Sequence, residues 1–283
     1  MPQGVRGGFP THWTELGHGP RRALAIHCSL SHGGSWGPLA RELGGALRLT
    51  AFDLPGHGQS AAWTGDGEIQ AVSTAMAAGL LEAPTDIIGH SFGATVALRL
   101  AVERPDLVRT LILYEPVFFA VGLHDQPGLR SGHEAEMAEY AAGMAAGDFL
   151  RAAEGFTRVW GDRRGWTALP EGARAAMAAQ MPLIEAATDA LYGDAGGMLS
   201  SGALTRISVP VLLMEGSASP AIIAAINAGL MARIPEALRV VVQGAGHMGP
   251  ISHARGVAEE IKGFLGGCRG NAGHCIARRR FAP

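Results

Sequence analysis

Cysteine is scarce in this chain, with three among 283 residues. Three thiols cannot build a disulfide framework, so a reducing, cytoplasmic compartment is expected. Long hydrophobic runs are missing as well, since none reaches the length needed to span a bilayer. The opening MPQGVRGGFPTHW has no apolar segment behind a basic stretch, so neither secretion nor membrane insertion is expected. Charge of one sign is also lacking: 23 Lys and Arg against 25 Asp and Glu leave a formal net charge of -2, and nothing points to nucleic acid. What is present is 47% hydrophobic and 17% charged residues, the composition of a globular protein with a sizeable core. The length fits one large domain or two smaller ones.

Six apolar runs read as strands: Arg21 to Cys28, Leu47 to Gly56, Thr85 to His90, Arg109 to Pro116, Pro210 to Gly216 and Leu238 to His247. Most are continuous rather than alternating, as expected where helices cover both faces of a sheet. The stretch FGATVALRLAVERP after His90 suits a helix that stops at Pro105. An α/β architecture with a mostly parallel sheet follows. From Val117 to Thr205 the texture changes to Ala, Met and Glu with few strand signals. Phe149, Ala152, Ala153, Phe156 and Trp160 repeat there at helical spacing, and Ala168 to Met181 reads as a second amphipathic helix opened near Pro170. The C-terminal GGCRGNAGHCIARRRFAP has no periodic apolar face and is expected to be a flexible tail. Its Cys268, His274 and Cys275 make an incomplete ligand set whose spacing fits no common zinc pattern, so no metal site is expected.

The segment IIGHSFGAT sets Ser91 between Gly89 and Gly93, at the junction of an expected strand and an expected helix. A serine on such a sharp turn exposes its hydroxyl, and small neighbours are needed because side chains beside it would strike the adjacent strand or helix. The helix N-terminus beneath adds unpaired N–H groups and a partial positive charge. Ser91 is therefore the candidate nucleophile.

With these residues in view, the chain resembles the α/β-hydrolase superfamily over nearly all its length except the tail. AIHCSLSHGGSW (Ala25 to Trp36) looks like the family's oxyanion loop, AFDLPGHGQS (Ala51 to Ser60) like its D-x-P-G-x-G-x-S segment, GHSFG like its nucleophile elbow, and GAGHM like its histidine loop. The resemblance implies an α/β-hydrolase core at 1–117 and 206–266, a helical cap at 118–205 and the tail at 267–283. It also implies no cofactor.

Placed on these motifs, His247 is the expected general base, because histidine titrates near the working pH and can take the serine proton. The oxyanion donors are expected to be the backbone N–H groups of Phe92 and Ser29, with Leu30 the weaker choice. Cys28 is read as buried filler, and His27, His57 and His90 as loop supports. The aspartate that many relatives carry after the fifth strand is missing, since this chain reads MEGSASP with Ser219 in that place. Glu115, at the end of the strand that follows the elbow helix, is the favoured acid. Some relatives place theirs there, and the carboxyl ends of parallel strands open on one side of the sheet. Glu215 is the second candidate, with Asp189 and Asp194 behind it. Asp53 is expected to tie down its loop, and Asp86 merely to open a strand.

Phe118, Phe119, Trp160 and Trp166 make a partly apolar pocket plausible, with no cationic cluster for a highly charged ligand. The expected activity is hydrolysis of a small or medium carboxylic ester or thioester, a small-molecule substrate, through an acyl-enzyme. Alternatives are carbon-carbon hydrolysis, perhydrolysis or a lyase step on the same scaffold, or a binding protein without chemistry.

Overall fold

The computed structural model describes residues 2–162 and 164–267. Eight strands form one sheet: β1 (Gln3–Arg6), β2 (Phe9–Gly17), β3 (Arg21–Ile26), β4 (Leu47–Phe52), β5 (Thr85–His90), β6 (Val108–Tyr114), β7 (Val211–Gly216) and β8 (Ala237–Val242). Their spatial order is β1-β2-β4-β3-β5-β6-β7-β8. Strands β3 to β8 pair in parallel, whereas β2 runs antiparallel to both β1 and β4.

The two N-terminal strands correct the expectation of six. β2, FPTHWTELG, mixes buried and half-exposed residues. It has no apolar run to announce it, because an antiparallel strand near the sheet edge needs cover on one face only. Four of the six expected strands end earlier than their apolar runs suggest, at Ile26, Phe52, Tyr114 and Val242. At each of those points the chain leaves the ladder to form a loop at the carboxyl end of the sheet.

Alternation along the central strands builds two cores. Leu24, Ile26, Ile87, Leu111, Leu113, Val211 and Leu213 pack on one face. Ala23, Ala25, Ile88, Ile112, Tyr114, Leu212 and Met214 pack on the other. Helices cover both layers: α1 (Gly37–Leu43), α2 (Ile69–Ala78), α3 (Phe92–Glu103), and, after the segment described next, α11 (Ala221–Arg233), α12 (Gly249–Ser252) and α13 (Ala254–Gly267).

Between β6 and β7 the described chain is helical, with α4 (Phe119–Asp125), α5 (Arg130–Glu136), α6 (Ala138–Ala146), α7 (Phe149–Trp160), α8 (Glu171–Ala179), α9 (Met181–Ala186) and α10 (Thr188–Tyr192). The stripe read from the spacing lies on α7, where Ala152, Ala153 and Trp160 are buried. No helix among the described residues is long and apolar enough to cross a membrane. The expected tail lies, apart from Gly267, outside the described residues, as do Cys268, His274 and Cys275.

The start of β5 holds more than the sequence reading allowed. Asp86 is fully buried and accepts hydrogen bonds from Arg21 of β3 and from Arg109 and Thr110 of β6. One carboxylate thus ties three adjacent strands together at the end of the sheet opposite the loops. Burial alone would push its pKa up, but the hydrogen bonds from Arg21, Arg109 and Thr110 outweigh that and hold it below the usual carboxylate range.

Candidate active site

Ser91 sits between β5 and α3 with φ 57° and ψ -121°, a backbone conformation that costs a non-glycine residue roughly 1–3 kcal/mol. The flanking glycines make it possible. A Cβ on Gly89 would lie 2.5 Å from the Ala94 Cα, and one on Gly93 would lie 2.3 Å from the Ile26 carbonyl oxygen. The collisions foreseen with helix and neighbouring strand are therefore both real. Among the described residues, four other than glycine have positive φ: Leu30, Ser91, Glu115 and Asp194. The first three stand around one point.

At that point three side chains converge from β5, β6 and the loop after β8. His247 Nε2 lies 2.9 Å from Ser91 Oγ, and His247 Nδ1 lies 2.7 Å from Glu115 Oε2. A carboxylate can only accept, so Nδ1–H donates to Glu115, leaving Nε2 to accept the Ser91 hydroxyl. All three are buried, Glu115 completely. Its other oxygen, Oε1, accepts the Gly216 N–H at 2.7 Å and the Ser219 hydroxyl. The serine that stands where an aspartate was looked for thus braces the carboxylate that arrives from the neighbouring strand.

Glu215 does not join this arrangement. It is bound by Arg239, with one contact of 2.5 Å, and by Asn227 at 2.7 Å. Asp194 accepts from the N–H groups of Leu199 and Ser200, and Asp189 is exposed on α10.

The histidine loop is fastened on both sides of His247. His90 Nε2–H donates to the His247 carbonyl at 2.8 Å, and the Tyr114 hydroxyl donates to the Gly246 carbonyl at 2.8 Å. Burial first, then the neighbouring His247, push His90 well below the usual histidine range, so it serves as a neutral donor. Tyr114 was missed in the sequence. The signal was available, because the residue before Glu115 on a strand must face the opposite layer.

The other two histidines stitch loops together. His27 Nδ1–H donates to the Cys28 carbonyl and its Nε2 accepts the Leu54 N–H; burial, then His57, push it down to about 3. His57 Nδ1–H donates to the Pro55 carbonyl, and its Nε2 accepts the Leu30 N–H at 3.2 Å. The Leu30 amide is therefore engaged, which favours Ser29 as the available donor. Asp53 does tie its loop, accepting from Gly33 and Gln59 N–H groups and from His12. Phe92 opens α3, so its N–H has no partner within the helix.

Cys28 is buried, and burial pushes its thiol up to about 12. At neutral pH it carries no thiolate. Treatment of the folded protein with iodoacetamide at pH 7.5 is expected to leave its ester turnover unchanged; proportional loss of activity with alkylation of Cys28, followed by mass spectrometry, would contradict this.

Two cavities meet at Ser91. The outer one, of about 120 Å³, is lined by Ser29, Ser91, His247 and residues of α7 and α8. The inner one, of about 60 Å³, runs past Phe92 and Phe119 toward α9 and α10. Trp160 and Phe156 line both. Phe118 and Trp166, expected on the pocket wall, line neither cavity. Phe118 is fully buried in the core, and Trp166 packs with α7 and α8.

Comparison with known proteins fits this geometry. A family model for alpha/beta hydrolases matches residues 23–260. A pimeloyl-acyl-carrier-protein methyl ester esterase of Neisseria meningitidis serogroup B is 30% identical over 225 residues, which cover 77% of this chain and 83% of that one. The lipase LipV of Mycobacterium tuberculosis is 42% identical over 101 residues, but these cover only 35% of this chain and 38% of the lipase. In three dimensions the chain is similar to Est816, described as an N-acyl homoserine lactone degrading enzyme. The TM-score is 0.71 at 20% identity, over 93% of this chain and 100% of that one, a likeness that concerns the fold. On the family match over most of its length, joined to the sheet order and the loops that carry Ser91, Glu115 and His247, the chain belongs to the alpha/beta hydrolase family.

Proposed function

We propose that the protein is a serine hydrolase of carboxylic esters, with Ser91 as nucleophile, His247 as general base and acid, and Glu115 as the group that orients the imidazole. Ser91 Oγ attacks the ester carbonyl carbon while its proton passes to His247 Nε2. The oxyanion is received by the N–H groups of Phe92 and Ser29, each such donor contributing about 3 kcal/mol to barrier lowering. As the tetrahedral species collapses, the bond to the leaving oxygen breaks and that oxygen takes the proton from His247, leaving an acyl-serine. Water then attacks with His247 accepting its proton, and the acid departs as Ser91 is reprotonated. No cofactor enters these steps. Residues 118–205 act as a cap over the core formed by 1–117 and 206–266, and the unpaired, buried Cys28 agrees with a reducing, cytoplasmic setting.

One observation carries this reading, the continuous and buried hydrogen-bonded line from Ser91 through His247 to Glu115. The esterase and lipase relatives point the same way. A non-catalytic reading drew its support from Ser219 in place of an acid, and Glu115 removes that support. The test is covalent labelling with a fluorophosphonate alongside hydrolysis of p-nitrophenyl butyrate. Wild type is expected to take up one label and lose activity in step, and Ser91→Ala to do neither. Labelling of Ser91→Ala at another residue, or an unlabelled wild type, would overturn the assignment.

A further inference from the structure

We propose that the inner cavity receives the acyl group and the outer cavity the leaving alcohol, so that the site selects esters pairing a short, uncharged acyl chain with a bulkier alcohol. The proposal rests on the serine-hydrolase reading and adds the direction in which the ester lies.

Proton delivery decides the direction. The leaving oxygen must take its proton from His247 Nε2, so the alcohol has to occupy a space that His247 borders. His247 lines the outer cavity and not the inner one. Of the two proposed oxyanion donors, Phe92 lines the inner cavity and not the outer, and Ser29 lines both. An ester threaded the other way would place its leaving oxygen beyond the reach of the imidazole.

The lining chemistry then defines the acyl class. Among the described residues, no Asp, Glu, Lys, Arg or His borders the inner cavity. Its two tyrosine hydroxyls already have partners, Tyr140 donating to Glu185 at 3.1 Å and Tyr192 sharing a hydrogen bond with His133 at 2.7 Å. A carboxylate at the far end of an acyl chain would lose its water there and find no counter-charge. With about half the volume of the outer cavity, the inner one limits chain length as well. The outer cavity has Thr157, Asp162 and Arg164 on its wall, which suits an alcohol with polar substituents.

The test compares kcat/KM ratios within two panels. One holds p-nitrophenol constant and varies the acyl group through acetate, butyrate, hexanoate and the monoadipate; the other holds butyrate constant and varies the alcohol. The monoadipate is expected to react roughly 100-fold or more slowly than hexanoate. Ala187→Phe, which fills the inner cavity, is expected to lower the hexanoate-to-acetate ratio by about tenfold or more, and Ile184→Ala, which enlarges it, to raise that ratio. Neither should reorder the alcohol panel. Variants that reorder the alcohols and leave the acyl ratio alone would overturn the direction proposed, with ester hydrolysis itself intact. Absence of turnover on every ester, together with absence of fluorophosphonate labelling, would instead overturn the underlying hydrolase reading.

Discussion

Glu115→Gln is expected to lower kcat on p-nitrophenyl butyrate by about 10⁴-fold with little change in KM, the scale of loss known when a triad acid becomes an amide. Glutamine has the same shape, so the pocket around position 115 stays filled and the fold is kept. What changes is the partner offered to His247 Nδ1. An amide can turn its NH₂ toward the ring, which leaves Nδ1 as acceptor and moves the proton to Nε2, facing Ser91. A protonated Nε2 cannot take the serine proton. The carboxylate's negative charge, which steadies the imidazolium as it forms, is lost in the same step. Glu215→Gln is the matched control. Glu215 is bound to Arg239 and Asn227 and has no contact with His247, so its replacement is expected to touch stability rather than turnover. A larger kinetic loss in Glu215→Gln than in Glu115→Gln, measured at saturating substrate, would mean that the orienting carboxylate has been misassigned.

The largest effect on stability is expected at the opposite end of the sheet. Asp86→Ala leaves Arg21 and Arg109 without the carboxylate they share, and removal of one partner from a buried ionic cluster typically destabilises by about 3–5 kcal/mol. The discount for exposure is moderate, since Asp86 is fully buried although the Arg109 side chain is 41% exposed. Urea unfolding followed by tryptophan fluorescence measures the loss. Because the folded-state pKa of Asp86 is depressed, its contribution is complete above the unfolded value near 4 and disappears as the pH falls through the lower folded value. The gap between wild type and Asp86→Ala should therefore close in acid. A gap that stays constant from pH 7 down to pH 2 would show that the arginines do not stabilise the ionised form.

The central strands and the elbow were legible in the sequence because several independent requirements coincide there. Continuous apolar runs mark β5 to β7, and the glycines at 89 and 93 are needed by backbone that passes within 3 Å of where a side chain would begin. His247 and Glu115 were named as candidates from the resemblance of their segments to α/β-hydrolases, with the shared side of parallel strands' carboxyl ends as support for Glu115. β1 and β2 were not legible, since their half-exposed pattern resembles loop composition. The task of Asp86 was hidden as well, because it depends on arginines 65 residues before it and 23 after it in the chain. Phe118 illustrates a different limit, for the sequence shows that a residue is aromatic but not whether its ring faces the core or the cavity.

The pinning of the histidine loop has a consequence for anyone rebuilding this site. The strand that delivers the hydroxyl also holds one carbonyl of the loop, through His90, and the strand that delivers the acid holds the adjacent carbonyl, through Tyr114. Any shift of the backbone that carries His247 must break one of these two bonds. A graft of residues 244–249 onto another scaffold would therefore need positions 90 and 114 carried over with it, or the ring would arrive with the right neighbours in the wrong register.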